Sequence, residues 1–89
     1  MDVQILRNRV RGVVSARYLG DYRVWLKFDN GQEGLIDLED DLWGDEHEAL
    51  RDRVLFSELY VETGRATLAW NNGSDFSPEY LYDRLSRLH

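Results

Sequence analysis

The densest set of groups able to do chemistry is the acidic stretch Asp37, Glu39, Asp40, Asp41, Asp45, Glu46, His47 and Glu48. Carboxylate oxygens so closely spaced could hold a divalent cation. Counted from Asp37, the residues Asp37, Glu39 and Asp41 fall on the first, third and fifth places of a calcium loop, and Glu48 on the twelfth. The sixth place of such a loop needs glycine for its sharp turn, and here it is Leu42. The stretch therefore reads as a solvated acidic loop, and no metal or cofactor is assigned to it. Nucleophilic chemistry has less to work with. The chain has no cysteine, its only histidines are His47 and His89, and no Gly-x-Ser-x-Gly elbow occurs. Ser15 and Ser57 read as ordinary solvent-facing or capping hydroxyls, so the expectation is a protein that is not an enzyme.

Anion binding is the next chemistry to weigh. Arg7, Arg9, Arg11 and Arg17 lie close together near the N-terminus, beside Gly12. No phosphate-binding glycine motif accompanies them. They could pair with the acidic stretch, within the chain or across a dimer, or they could contact nucleic acid through local potential. Trp25 carries a different signal, because its strand face is shared with Arg23 and Lys27. That face is either covered by a helix or presented as an anchor for a partner, and tryptophan and arginine are enriched at binding hot spots. Trp70, in contrast, falls on an inner strand face and reads as core, while Trp43 could fold back as a cover over the acidic loop.

The elements that would position these groups follow from periodicity. Val10 to Tyr18 alternates, with Val10, Val14, Ala16 and Tyr18 on the inner side, as a half-buried strand requires. Leu19-Gly20-Asp21 turns the chain. Tyr22 to Phe28 puts Tyr22, Val24, Leu26 and Phe28 on one face and Arg23, Trp25 and Lys27 on the other. Asn30-Gly31 suits a tight hairpin, and Glu33 to Leu38 forms a third strand with Ile36 and Leu38 inward. Glu46 to Arg53 is predicted as a short helix or a single turn on the spacing of Leu50 and Val54. Leu59–Glu62 and Ala66–Trp70 make a second hairpin, ended by Asn71-Asn72-Gly73. Its inner positions are Leu59 and Val61 against Ala66, Leu68 and Trp70. Ser77 is placed to cap a final helix with Pro78 in its first turn, Glu79 on the favourable side of the dipole, and Leu81, Leu85 and Leu88 along one stripe. Asp75 is expected to cap the turn after Trp70.

The expected class is α+β: a mainly antiparallel sheet, a three-strand meander plus a second hairpin, with a short connecting helix and a C-terminal helix. With 89 residues the chain is expected to be one domain, residues 1–89. Apolar runs of only a few residues exclude a membrane-spanning helix, and Met1 to Val10 lacks a signal core, so the expected compartment is the cytoplasm. The formal charge of −6 argues against general nucleic-acid binding, yet it is unevenly spread. Residues 1–27 carry six basic and two acidic side chains, for a net of +4. Residues 28–50 carry nine acidic and no basic ones, for −9. Residues 51–89 carry five basic and six acidic, for −1. A charge-complementary partner suits that segregation better than nucleic acid does.

The order of features resembles the bacterial family of domains of unknown function 2442, across roughly residues 10–83. The resemblance rests on Tyr22 to Phe28 followed by Asp29-Asn30-Gly31, then on Gly34, Ile36, Asp37 and Leu38. Leu50, Asp52 and Phe56 continue it, and Trp70, Gly73, Asp75, Pro78, Glu79, Leu81 and Tyr82 close it. It implies a small α+β domain with no established reaction. It also implies pairing with another small protein in a regulatory or toxin–antitoxin-like manner. Some members are fused to a helix-turn-helix domain, whereas Met1 to His89 is expected to carry no DNA-reading unit. Asn30, Gly31, Trp70, Gly73, Asp75, Ser77, Pro78, Glu79, Leu81 and Tyr82 are accordingly read as structural. Arg23, Trp25 and Lys27 are the candidates for binding a protein partner or a second copy. Arg7, Arg9, Arg11 and Arg17 are the nucleic-acid alternative.

Overall fold

A computed structural model of the chain describes residues 12–86. Strands β1 (Val13–Gly20), β2 (Arg23–Phe28) and β3 (Glu33–Asp37) form an antiparallel meander in that order. A turn of 3₁₀-helix, Glu39–Asp41, leads into the acidic segment, and a second, Glu48–Arg51, leads into helix α1 (Arg53–Ser57). Strands β4 (Tyr60–Glu62), β5 (Thr67–Ala69) and β6 (Asp75–Phe76) form a second antiparallel sheet with β5 at its centre. Helix α2 (Pro78–Ser86) closes the described chain. The class is α+β and mostly sheet. No helix among the described residues is long and apolar enough to cross a membrane.

The meander alternates as its residue types require. Val24, Leu26, Phe28 and Ile36 are fully buried, while Arg23, Lys27, Glu33 and Asp37 stay in solvent. A slip of one residue would turn every apolar side chain outward, so this burial locks the register. The loops suit their residues. Gly20 and Asp21 take positive φ between β1 and β2, and Gly31 does so between β2 and β3. Asn30 itself keeps negative φ, and its side-chain oxygen instead accepts the Gln32 N–H at 3.0 Å.

Both sheets share one core. Trp70 is buried, its ring lies 5.5 Å from Phe56 and 6.0 Å from Phe76, and its indole N–H donates to the Phe56 carbonyl at 2.9 Å. A buried indole needs such an acceptor. Helix α2 lies on the inner side of the meander through Leu81 and Leu85. Leu85 is so close to Gly34 that a Cβ there would sit 2.7 Å from its Cδ1. The Tyr82 ring meets Phe28 edge-on at 5.2 Å.

Several expectations change. Val14 points outward, 54% exposed, and Val13 is the core residue. The reason is a bulge: Val13 pairs with Phe28 and Ser15 with Lys27, leaving Val14 as the extra residue. A second irregularity frees Leu19 in the same way. Of the short helix or single turn expected over Glu46 to Arg53, the structure has a single 3₁₀ turn, Glu48–Arg51. Leu50 is buried on the 3₁₀ turn, and Asp52 breaks the segment by adopting an extended backbone. Its side chain then caps α1 by accepting the Val54 N–H, and Val54 is left in solvent. Ala66 lies in the turn with φ +53° rather than in the strand. The chain also re-enters the second sheet as β6 after Gly73 (φ +93°), where the sequence suggested only an end. Asp75 therefore belongs to a strand, and Asn72 caps that turn by accepting the Ser74 N–H. Trp43 stays exposed under the guanidinium of Arg51, 4.4 Å from its ring centre, while Leu42 beside it turns inward.

Candidate functional site

The outward positions of the meander form a grid fixed by pairing. Arg17, Trp25 and Leu35 lie across one row of β1, β2 and β3. Ser15, Lys27 and Glu33 make the row on one side, and Gly20, Arg23 and Asp37 the row on the other. Their orientation follows from the inner residues, because burial of Val24 and Leu26 forces Trp25 to the opposite face. Trp25 is half-buried, and the Arg17 guanidinium sits over its ring at 5.8 Å. Leu35 is 45% exposed beside it. The described helices lie elsewhere: α2 packs on the inner side, and Phe56 of α1 packs against Tyr18, Tyr22 and Trp70.

Charge surrounds this apolar row in an ordered way. Lys27 is directly opposite Glu33 and Arg23 directly opposite Asp37. Arg23 also reaches Asp21 at 3.4 Å, and Arg53 approaches the same carboxylate at 3.7 Å. These exposed pairs contribute little to stability, about 0–1 kcal/mol each. Arg23, Trp25 and Lys27 thus share one strand face, and the structure adds Arg17 and Leu35 to them. Strand alternation already turns Leu35 outward in the sequence, but its place beside Trp25 needs the register. Arg7, Arg9 and Arg11 lie outside the described residues, as do Val10, Arg87, Leu88 and His89.

The acidic segment does not converge on a site. Among the described residues no three carboxylate or imidazole groups come close enough to hold a metal ion. Asp41 is occupied by Arg84 at 3.0 Å and by the Tyr80 hydroxyl, and Arg84 also donates to the Asp37 carbonyl at 2.7 Å. Asp37 turns its carboxylate back to accept the Glu39 N–H at 2.9 Å. Among the described residues, it is an arginine of the last helix that pairs with this segment. Beside it lies a cleft of about 410 Å³ lined by Asp41, Glu46, His47, Asp75, Phe76, Ser77 and Tyr80. His47, which the sequence placed merely inside an acidic stretch, stacks on Phe76 at 4.1 Å with its Nε2 2.7 Å from the Asp75 carbonyl. The Ser77 hydroxyl accepts the Tyr80 N–H at 3.2 Å. The imidazole thus meets the backbone of a distant segment, while the hydroxyl caps the first turn of α2.

The motif residues form a frame around the grid. The Asn30 amide donates to the Tyr82 hydroxyl at 3.2 Å, tying the β2–β3 loop to α2. Ser77 caps α2, Pro78 opens it, Glu79 lies in its first turn and Leu81 is buried beneath it. Asp75 accepts from Arg65 at 2.7 Å. Compared with known families, residues 13–86 match a model described as a protein of unknown function (DUF2442). No curated protein and no solved structure matches the chain.

Proposed function

The chain belongs to the DUF2442 family, and from that membership and the sheet geometry we propose a non-enzymatic protein-interaction module of the bacterial cytoplasm. Its binding surface is the outer face of the meander, with Trp25 at the centre and Arg17, Arg23, Lys27 and Leu35 around it. One observation carries this reading. An aromatic, an aliphatic and an arginine side chain stand in a row on a sheet face that the described helices leave open. An indole and a leucine left half in water recover hydrophobic free energy when a partner covers them, at about 25 cal/mol per Å² of apolar surface. The non-enzymatic part is supported by the carboxylates of the neighbouring cleft, where Asp41 and Asp75 already serve as ion-pair partners. Regulatory or toxin–antitoxin-like pairing is the form of interaction that the family resemblance favours.

Parallel capture with the wild-type protein and Trp25→Ala, followed by titration of the purified partner, tests the surface. The wild type is expected to bind at least tenfold more tightly, since central aromatic anchors carry about 2 kcal/mol or more. Equal binding by the two proteins, with the variant's far-UV spectrum unchanged, sinks the proposal. Nucleic acid belongs in the same series, because Arg17 is the one described member of the N-terminal arginine set. Salt-sensitive binding of random duplex by both proteins alike would favour that alternative.

A further inference from the structure

The outer positions of β2 and β3 form two columns whose members are directly opposite one another. The β2 column is Arg23, Trp25, Lys27, and the β3 column is Asp37, Leu35, Glu33. One is basic, aromatic, basic; the other is acidic, aliphatic, acidic. Two such columns side by side complement themselves. A two-fold axis parallel to the strands, running above the line between β2 and β3, lays β2 of one copy over β3 of another and keeps the rows aligned. Arg23 then faces Asp37 of the second copy, Trp25 faces its Leu35 and Lys27 faces its Glu33, and every contact occurs twice. An axis across the strands would instead set Arg23 over Lys27 and Asp37 over Glu33. Charge therefore selects the first alignment, since like charges brought face to face are strongly disfavoured.

We propose that the partner of this face is a second copy of the chain, seated by that two-fold axis. The proposal rests on the assignment of the outer face as the interaction surface and supplies its occupant. Aligned sheets pack about 10 Å apart, a gap that tryptophan and leucine side chains can fill. Strands of this length present a patch of about 10 by 20 Å, well under the roughly 800 Å² per partner of a standard stable interface. The dimer is consequently weak, with a dissociation constant on the order of 10⁻⁴ M, a transient association rather than an obligate one.

Sedimentation from about 10 µM to 1 mM decides it, a range that brackets this constant. The proteins compared are the wild type, Trp25→Ala, Lys27→Glu, Glu33→Lys and an equal mixture of the last two. The wild-type average mass should rise with concentration towards the dimer. Lys27→Glu alone sets the introduced carboxylate against Glu33 of the second copy, and Glu33→Lys alone sets lysine against lysine, so each should remain monomeric. In the mixture, the heterodimer has an unlike pair at both contacts again, and association should return. Within a single chain both variants keep their like-charged neighbours, so only an intermolecular contact can give this rescue. A mixture that stays monomeric, or single variants that associate like the wild type, overturns the proposal. So does Trp25→Ala associating unchanged. A wild type monomeric at 1 mM removes the second copy as partner, and capture with Trp25→Ala then decides separately whether the surface binds another protein.

Discussion

Arg84 ties the last helix to a distant part of the chain. It projects from α2 and meets the Asp41 carboxylate at 3.0 Å and the Asp37 carbonyl at 2.7 Å, joining the helix to the end of β3 and the 3₁₀ turn after it. The pair is largely withdrawn from solvent, with side chains 19% and 10% exposed for Arg84 and Asp41. Removing one member leaves the other charge partly buried without its counter-ion, which costs more than an exposed pair contributes. Arg84→Ala is therefore expected to lower stability by about 2–3 kcal/mol in urea unfolding followed by far-UV circular dichroism. Arg84→Lys should recover only part of that loss, because a single ammonium cannot reach carboxylate and carbonyl with the geometry of a guanidinium fork. Full recovery by lysine would show that charge alone matters here. Nothing local in the sequence points to this pair. Arg84 and Asp41 are 43 positions apart, and their meeting depends on where α2 crosses β3.

The second sheet shows how short strands are held by the side chains at their ends. Strand β4 has three residues and β6 two, too little ladder to be stable unaided. Glu62 ties the intervening turn by accepting the Gly64 N–H at 2.9 Å, the Arg65 N–H at 3.1 Å and the Arg65 guanidinium at 2.9 Å. Arg65 then reaches Asp75 on β6 at 2.7 Å, so one turn clamps both edges of the sheet. The Arg65 side chain, followed by the Gly64 N–H, holds the Glu62 carboxyl below the usual glutamate range. A carboxyl depressed in the folded state stabilises it above the unfolded value, and that contribution fades as pH falls through the folded one. The stability difference between wild type and Glu62→Gln should thus be widest near neutrality and shrink on acidification below about pH 4, the ordinary glutamate value. Urea midpoints measured for both proteins across that range would show it, and a pH-independent difference would refute it. The same sheet marks the limit of periodicity. Its first hairpin is legible from Leu59 to Trp70, whereas β6 has no alternation to display and follows a turn that looks like an ending. The region Glu46 to Arg53 meets a related limit, since the spacing of Leu50 and Val54 suits either a short helix or a single turn, and Asp52 leaves only the turn by becoming the cap of α1.

At the scale of the whole molecule, Gly12 is where the two sheets are joined. Its carbonyl accepts the Asp29 N–H at 3.0 Å from the β2–β3 loop, and the next residue, Val13, donates to the Ala66 carbonyl at 2.7 Å in the β4–β5 turn. That approach leaves no room for a side chain. A Cβ at Gly12 would run into the Cβ of Ala66 and lie 2.6 Å from its carbonyl oxygen. The outer-face site depends on the same long-range order. Trp25 with Arg23 and Lys27 could be read from alternation alone, but its neighbours Arg17 and Leu35 are set by register. The β1 register in turn passes through bulges at Val14 and Leu19, which no local pattern announces. Because Trp70, Phe56 and Phe76 pack together beneath both sheets, the two should unfold as one unit. Gly12→Ala is then expected to weaken the whole structure by about 1–3 kcal/mol, the range for forcing extra atoms into a packed site. Tryptophan fluorescence and far-UV circular dichroism should show the same lowered midpoint, about 4–8 °C per kcal/mol for a chain of this size. Adding Ala66→Gly removes the Cβ contact but keeps the carbonyl one, so, measured against Ala66→Gly alone, which also relieves the positive φ of Ala66, the cost of Gly12→Ala should shrink without vanishing. Two separated transitions in Gly12→Ala would mean instead that each sheet stands alone, and that the shared aromatic core does not couple them.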